Sequence, residues 1–179
     1  MNAPGNNRIE LRLRELAQLF NVMDPSPFYD RDLDAAAEEF IVSWARELSP
    51  QGEIELVVHL ATAPVPERAQ GTEEAVRHYF ANRAEMKGRE LRLLLRRGRL
   101  NLLIGVAFLA VCFGLGEFAQ RLLTEGWNEF IELGLHIVGW VAMWRPLEIF
   151  LYDWWPIRND RRLLERLARM RVSLVTPAA

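Results

Sequence analysis

From Leu100 to Gly116 the chain runs for 17 residues without a charge, and only Asn101 and Cys112 are even mildly polar. Continued to Phe118 the stretch covers 19 residues, which as a helix at ~1.5 Å per residue is roughly 28 Å, close to the thickness of a bilayer's hydrocarbon core. A helix in the core of a soluble domain keeps a polar face, and this one has none. The stretch therefore predicts a transmembrane helix over about 100–118. A second span is expected over about 131–153. Its uncharged part, Leu133 to Trp144, is 12 residues long and too short alone. Ile149 to Tyr152 extend it past Arg145 and Glu148, with Trp127 near one end and Trp154 and Trp155 near the other, where aromatic residues favour the interfaces. Arg121 to Glu132 reads as the turn between the spans.

The net charge of −2 hides a block arrangement. Met1–Met86 has a balance of −7, Lys87–Arg99 of +5, Glu117–Glu132 of −3 and Arg158–Arg171 of +4. Basic blocks stay on the cytoplasmic side of the spans they flank. The expected topology is N-in and C-in, with two spans, in a bacterial inner (cytoplasmic) membrane. No basic start with an apolar core follows Met1, so no secretory signal is read.

Ahead of the basic block, Ile9, Leu11 and Leu13 alternate with charged residues, as do Ile54, Leu56, Val58 and Leu60 with their neighbours: two strands, each with one buried face. Between them, Asp30, Asp32 and Asp34 open a helix carrying Leu33, Ala37, Phe40, Ile41, Trp44 and Leu48 on one side. A long helix is expected from about Thr72 to near Gly126. The fold class is thus an α+β membrane protein. Residues 1–86 form a small cytoplasmic β-α-β-α domain. Its last helix runs into a basic linker helix and a two-helix transmembrane hairpin over 87–157. A cytoplasmic C-terminal amphipathic helix and tail follow over 158–179, with Leu163, Leu164 and Leu167 opposite arginines. A sheet of two strands is marginal alone and offers open edges, so a homo-oligomer is expected.

Arg145 and Glu148 carry the sharpest functional signal, because ionisable groups inside a span are costly. Arg145 lies about 12 Å from the cytoplasmic border if that border falls at Asp153. At three residues' separation the two share a face and are expected to pair. Pro146 removes a helical hydrogen bond beside them, and Trp144 and Asp153 complete the group. His136 lies on a different face; packing explains it more simply than proton transfer. Arg92, Arg96, Arg97, Arg99, Arg158, Trp154 and Trp155 are read as membrane-surface and lipid contacts rather than a nucleic-acid site, since the basic segments abut the spans. Cys112 is the sole cysteine, and the three histidines lack ligand spacing. No phosphate loop, nucleophile elbow or Cys/His cluster is present. No catalytic residue, metal or cofactor is therefore expected.

Three stretches carry a family likeness: Met23–Phe28 with Arg31–Asp34, Gly98–Gly105, and Gly139–Pro156, the last reading GWVAMWRPLEIFLYDWWP. Over most of its length the chain resembles a family of bacterial two-transmembrane-helix inner-membrane proteins whose activity is uncharacterised. The resemblance implies a bacterial source and no substrate. The layout is also loosely similar to the mitochondrial calcium uniporter, in having a soluble domain, a long helix and a hairpin. Trp144-Arg145-Pro146 departs from that family's Trp-Asp-x-x-Glu-Pro. It also lies toward the opposite end of the second span.

The sequence thus reads as a non-enzymatic integral inner-membrane protein forming a homo-oligomeric assembly or scaffold. The alternative is an oligomeric ion channel or transporter with Arg145 and Glu148 near the pathway. The expected partners are the lipid bilayer, copies of the chain itself and, as an open option, another membrane protein.

Overall fold

The computed structural model describes residues 7–122 and 127–176. The expected stop at Gly126 and the Trp127 side chain lie outside what is described. The chain is mostly helical with a small three-stranded parallel sheet. It divides into two compact units, Met1–Lys87 with Asn159–Ala179, and Gly88–Arg158.

In the first unit, β1 (Arg8–Leu13), β2 (Glu55–Leu60) and β3 (Arg171–Val175) lie side by side in that order, all parallel. Ile9 aligns with Leu56 and Val172, and Leu11 with Val58 and Leu174. These residues form one apolar face. Because side chains alternate, Glu10, Val57 and Ser173 share the other face. Parallel strands need crossover connections. The first runs through α1 (Ala35–Glu47). The second begins with α2 (Pro66–Leu122) and ends with α4 (Trp154–Leu167). Ala37, Ile41 and Ala45 of α1, Val76 and Phe80 of α2, and Leu164 and Leu167 of α4 form one buried cluster with the apolar face.

The two-strand expectation is corrected here. The tail after residue 170 is a strand, and it extends a sheet centred on β2. Its five residues, Arg-Val-Ser-Leu-Val, are too short for their alternation to stand out. The amphipathic helix expected after residue 158 packs its apolar side against the α/β unit: Leu164 and Leu167 of α4 lie in the first unit's core, with Met170 just beyond.

The other helix boundaries also moved. α1 begins only at Ala35, where the Asp34 carboxylate accepts from the N–H groups of Ala36 and Ala37. Leu33 precedes it, bridged to Phe20, and Trp44 is exposed, with its ring 6.0 Å from that of Phe40. α2 begins at Pro66, where proline is at home in a first turn. The segment between β1 and α1 is held by Asp24, which accepts from the N–H groups of Asp32 and Ser26. Those bonds, the Asp32 N–H foremost and then the Ser26 side chain and N–H, draw its pKa down to about 2.

The second unit holds the rest of α2, then α3 (Trp127–Glu148), a π-helical turn over Ile149–Asp153, and the start of α4. Glu129, Phe130, Ile131 and Glu132 are helical, so the turn read over Arg121–Glu132 is shorter than expected. The two helices pack antiparallel. Gly98 faces Ile149 and Phe150, Gly105 faces Met143 and Pro146, Gly139 faces Leu109 and Cys112, and Gly116 faces Glu132. Among the described residues one helix, α2, is long and apolar enough to cross a membrane, and only 17% of its most apolar window is buried. A core helix would be mostly buried.

Candidate functional site

Burial along α3 and the turn after it follows a helical period. Glu132, Leu135, His136, Gly139, Ala142, Met143, Pro146 and Ile149 are buried or half-buried. Leu133, Ile137, Trp140, Val141, Trp144, Arg145 and Leu147 are exposed. The first set faces α2 and the second faces away.

On that outer side the chain gathers a charged cluster. Arg145 Nη1 lies 3.0 Å from Glu148 Oε2 and 3.6 Å from Asp153 Oδ2. Trp144 donates its indole N–H to Glu148 Oε1 at 3.2 Å. Glu148 therefore receives a neutral donor and a cationic one on its two oxygens. The Arg145 side chain is 65% exposed and that of Glu148 40% exposed, so the cluster is an outward feature of this chain.

The backbone beside it is irregular. Pro146 has no N–H, so the Ala142 carbonyl loses its usual helical donor. That oxygen lies 3.4 Å from where a Gly105 Cβ would stand. A side chain at position 105 would crowd that carbonyl, which glycine leaves room for. The π turn follows at once. There the Trp154 indole N–H donates to the Phe150 carbonyl at 2.7 Å, and the Trp154 ring carries the Arg158 guanidinium 5.4 Å from its centroid.

Of the residues singled out by sequence, Trp144, Arg145, Glu148 and Asp153 come together, with Pro146 on the opposite, packed side. His136 is apart from them, with its ring 4.2 Å from that of Phe113. Arg92, Arg96, Arg97 and Arg99 are exposed on α2, and Arg92 Nε donates to the Gly88 carbonyl. Arg89, Arg92, Arg96 and Arg99 recur at helical three- and four-residue steps, on a different side from Gly98, which meets Ile149. Trp155 is exposed. The Arg145–Asp153 contact escaped sequence reasoning. A separation of eight residues has no fixed meaning until the π turn sets it.

The first unit holds a second polar group. Glu38 on α1 accepts from the Tyr79 hydroxyl at 2.7 Å and from Arg83 Nε at 2.9 Å, both on α2. Burial, then the bond to Glu38, pushes the Tyr79 pKa up, and the same carboxylate raises that of Arg83. A neutral tyrosine and a charged arginine held this way make a brace between helices.

Comparison with protein-family models, curated proteins and solved structures finds no match.

Proposed function

We propose that this chain is a non-enzymatic integral protein of a bacterial inner membrane. In this reading α2 and α3 form a transmembrane hairpin that carries the α/β unit on the cytoplasmic side and assembles copies of itself as a scaffold. The observation that carries the reading is the outward turn of apolar side chains in the second unit. Leu103, Ile104 and Val111 on α2, and Leu133, Trp140, Val141 and Trp144 on α3, are each more than half exposed. Water would penalise such a surface at roughly 25 cal/mol per Å², whereas hydrocarbon does not. The basic stripe ahead of the apolar stretch and Arg158 on Trp154 supply the cytoplasmic anchor.

The second reading, an oligomeric channel or transporter, is favoured by the outward Arg145–Glu148–Asp153 cluster and by the proline and π-helical turn beside it.

The test uses membranes from cells expressing the full chain with Cys112→Ala and one new cysteine. Glu129→Cys should react with an impermeant maleimide from the periplasm, and Ser49→Cys only after lysis. Periplasmic labelling at Ser49 would overturn the orientation. Release of the protein by alkaline carbonate would overturn membrane integration. Flux through liposomes carrying the purified protein would favour the channel over the scaffold.

A further inference from the structure

The outer faces of α2 and α3 differ in one respect. Between Leu100 and Gly116, the exposed side chains of α2 are apolar, with Asn101 half-buried and Cys112 buried. α3 presents Ile137, Trp140, Val141 and Trp144 and then, on the same side of the helix, Arg145 and Glu148. Given the membrane reading above, on which this inference rests, lipid chains suit the first face and not the second. Ionisable residues within spans face other protein or a water-filled space.

We infer that the outer face of α3, from Ile137 to Glu148, is a contact surface for a second copy of this chain. The occupant is argued from charge. The cluster sets one cation, Arg145, beside two carboxylates, Glu148 and Asp153, so the surplus carboxylate of one copy can accept from Arg145 of the next, and the reverse, across a two-fold contact. One arginine here meets two carboxylates, and both contacts use Nη1. A guanidinium carries five N–H donors, which leaves donors for a carboxylate from outside. Trp140 and Trp144, 60% and 68% exposed, supply the broad apolar area that seats such contacts. The hydrogen bond from Trp144 to Glu148 fixes both the ring and the carboxylate before the copies meet.

The experiment is oxidative crosslinking in native membranes. In the full chain with Cys112→Ala, single cysteines replace Ile137 or Val141 on α3, and Leu103 or Val106 on the outer side of α2. The expected result is a disulfide-linked dimer as the major species for the α3 positions and several-fold less for the α2 positions. Adding Arg145→Met to Val141→Cys should cut the dimer several-fold. Equal or stronger crosslinking at α2, or α3 cysteines that stay monomeric, would overturn the inference, as would adducts whose mass reports a different protein. Carbonate extraction of the same membranes separates the two failures. Protein that is washed off defeats the membrane reading itself. Protein that is retained but not crosslinked at α3 defeats only the contact surface.

Discussion

The Tyr79 hydroxyl donates to Glu38 Oε2 at 2.7 Å, joining α2 to α1 over a separation of 41 residues, with Arg83 holding the other carboxylate oxygen. A hydrogen bond to a charged acceptor contributes roughly 1.5–3 kcal/mol. Tyr79→Phe keeps the ring, which is edge-on to Phe80, and removes only the donor. It should cost about 1–2 kcal/mol, because Arg83 still satisfies Glu38. Glu38→Leu strands the tyrosine hydroxyl and should cost more. Thermal unfolding of the detergent-solubilised chain checks both. Equal stability of Tyr79→Phe and the wild type would show that the brace is idle.

Asp24 should make the β1–α1 segment sensitive to acid. Its folded pKa is lowered from 3.8 to about 2 by the Asp32 N–H, then by Ser26. A depressed folded pKa means that the stabilisation is complete above the unfolded value and fades as pH falls from about 4 to about 2. Amide exchange at Ser26 and Asp32 should speed up within that window, beyond the change expected from pH alone. Asp24→Ala should show the faster exchange already at neutral pH. No difference between variant and wild type would remove Asp24 from this role.

Glycines in the hairpin should respond in opposite directions. A Cβ on Gly139 would stand 2.8 Å from Leu109 Cδ1 and 3.3 Å from Cys112 Cβ, whereas one on Gly134 or Gly114 meets nothing within 4 Å. Gly139→Leu forces the helices apart and should cost about 1–3 kcal/mol. Gly114→Ala and Gly134→Ala should be neutral or stabilising by up to about 1 kcal/mol, since alanine has the better helix propensity. Melting temperatures of the three variants decide. A tolerated Gly139→Leu would mean that α2 and α3 do not pack at this point.

Arg145 and Glu148 report their own surroundings through a double-mutant cycle. An ion pair in water couples by about 0.2–1 kcal/mol. Breaking a desolvated pair costs about 3–5 kcal/mol, much of it recovered when both charges are removed. The membrane-assembly reading predicts the larger loss for Glu148→Gln and recovery in Arg145→Met with Glu148→Leu. Thermal stability of the purified chain for the four proteins measures it. Additive losses would mean that the pair is not coupled.

β3 should be indispensable although it is short. It is hydrogen-bonded to one side of β2, and Val172 and Leu174 pack on the core. Ending the chain at Met170 exposes that edge of β2 and uncovers the core beneath. The truncated protein is expected to aggregate or to be degraded, which membrane yield and gel filtration read directly. A truncated protein of normal yield and size would show that two strands suffice.

What the amino-acid sequence determined by itself is local. Alternation at Ile9, Leu11, Leu56, Val58 and Leu60 marks β1 and β2, because a strand repeats every two residues. The uncharged run from Leu100 marks the apolar helix, because length and composition suffice. The Arg145–Glu148 contact is legible because residues three apart on a helix share a face. Tertiary structure decided the rest. Ser173 reaches Glu55 across 118 residues, and nothing in Arg171–Val175 names β2 as its partner. The amphipathic pattern of α4 signals a buried face without saying what buries it; packing placed Leu167 in the first unit's core. Asp153 meets Arg145 only because the chain changes pitch after Glu148. Periodicity is a property of neighbouring residues and can be read along the chain. Pairing between distant segments depends on which surfaces remain to be covered once the whole chain has folded.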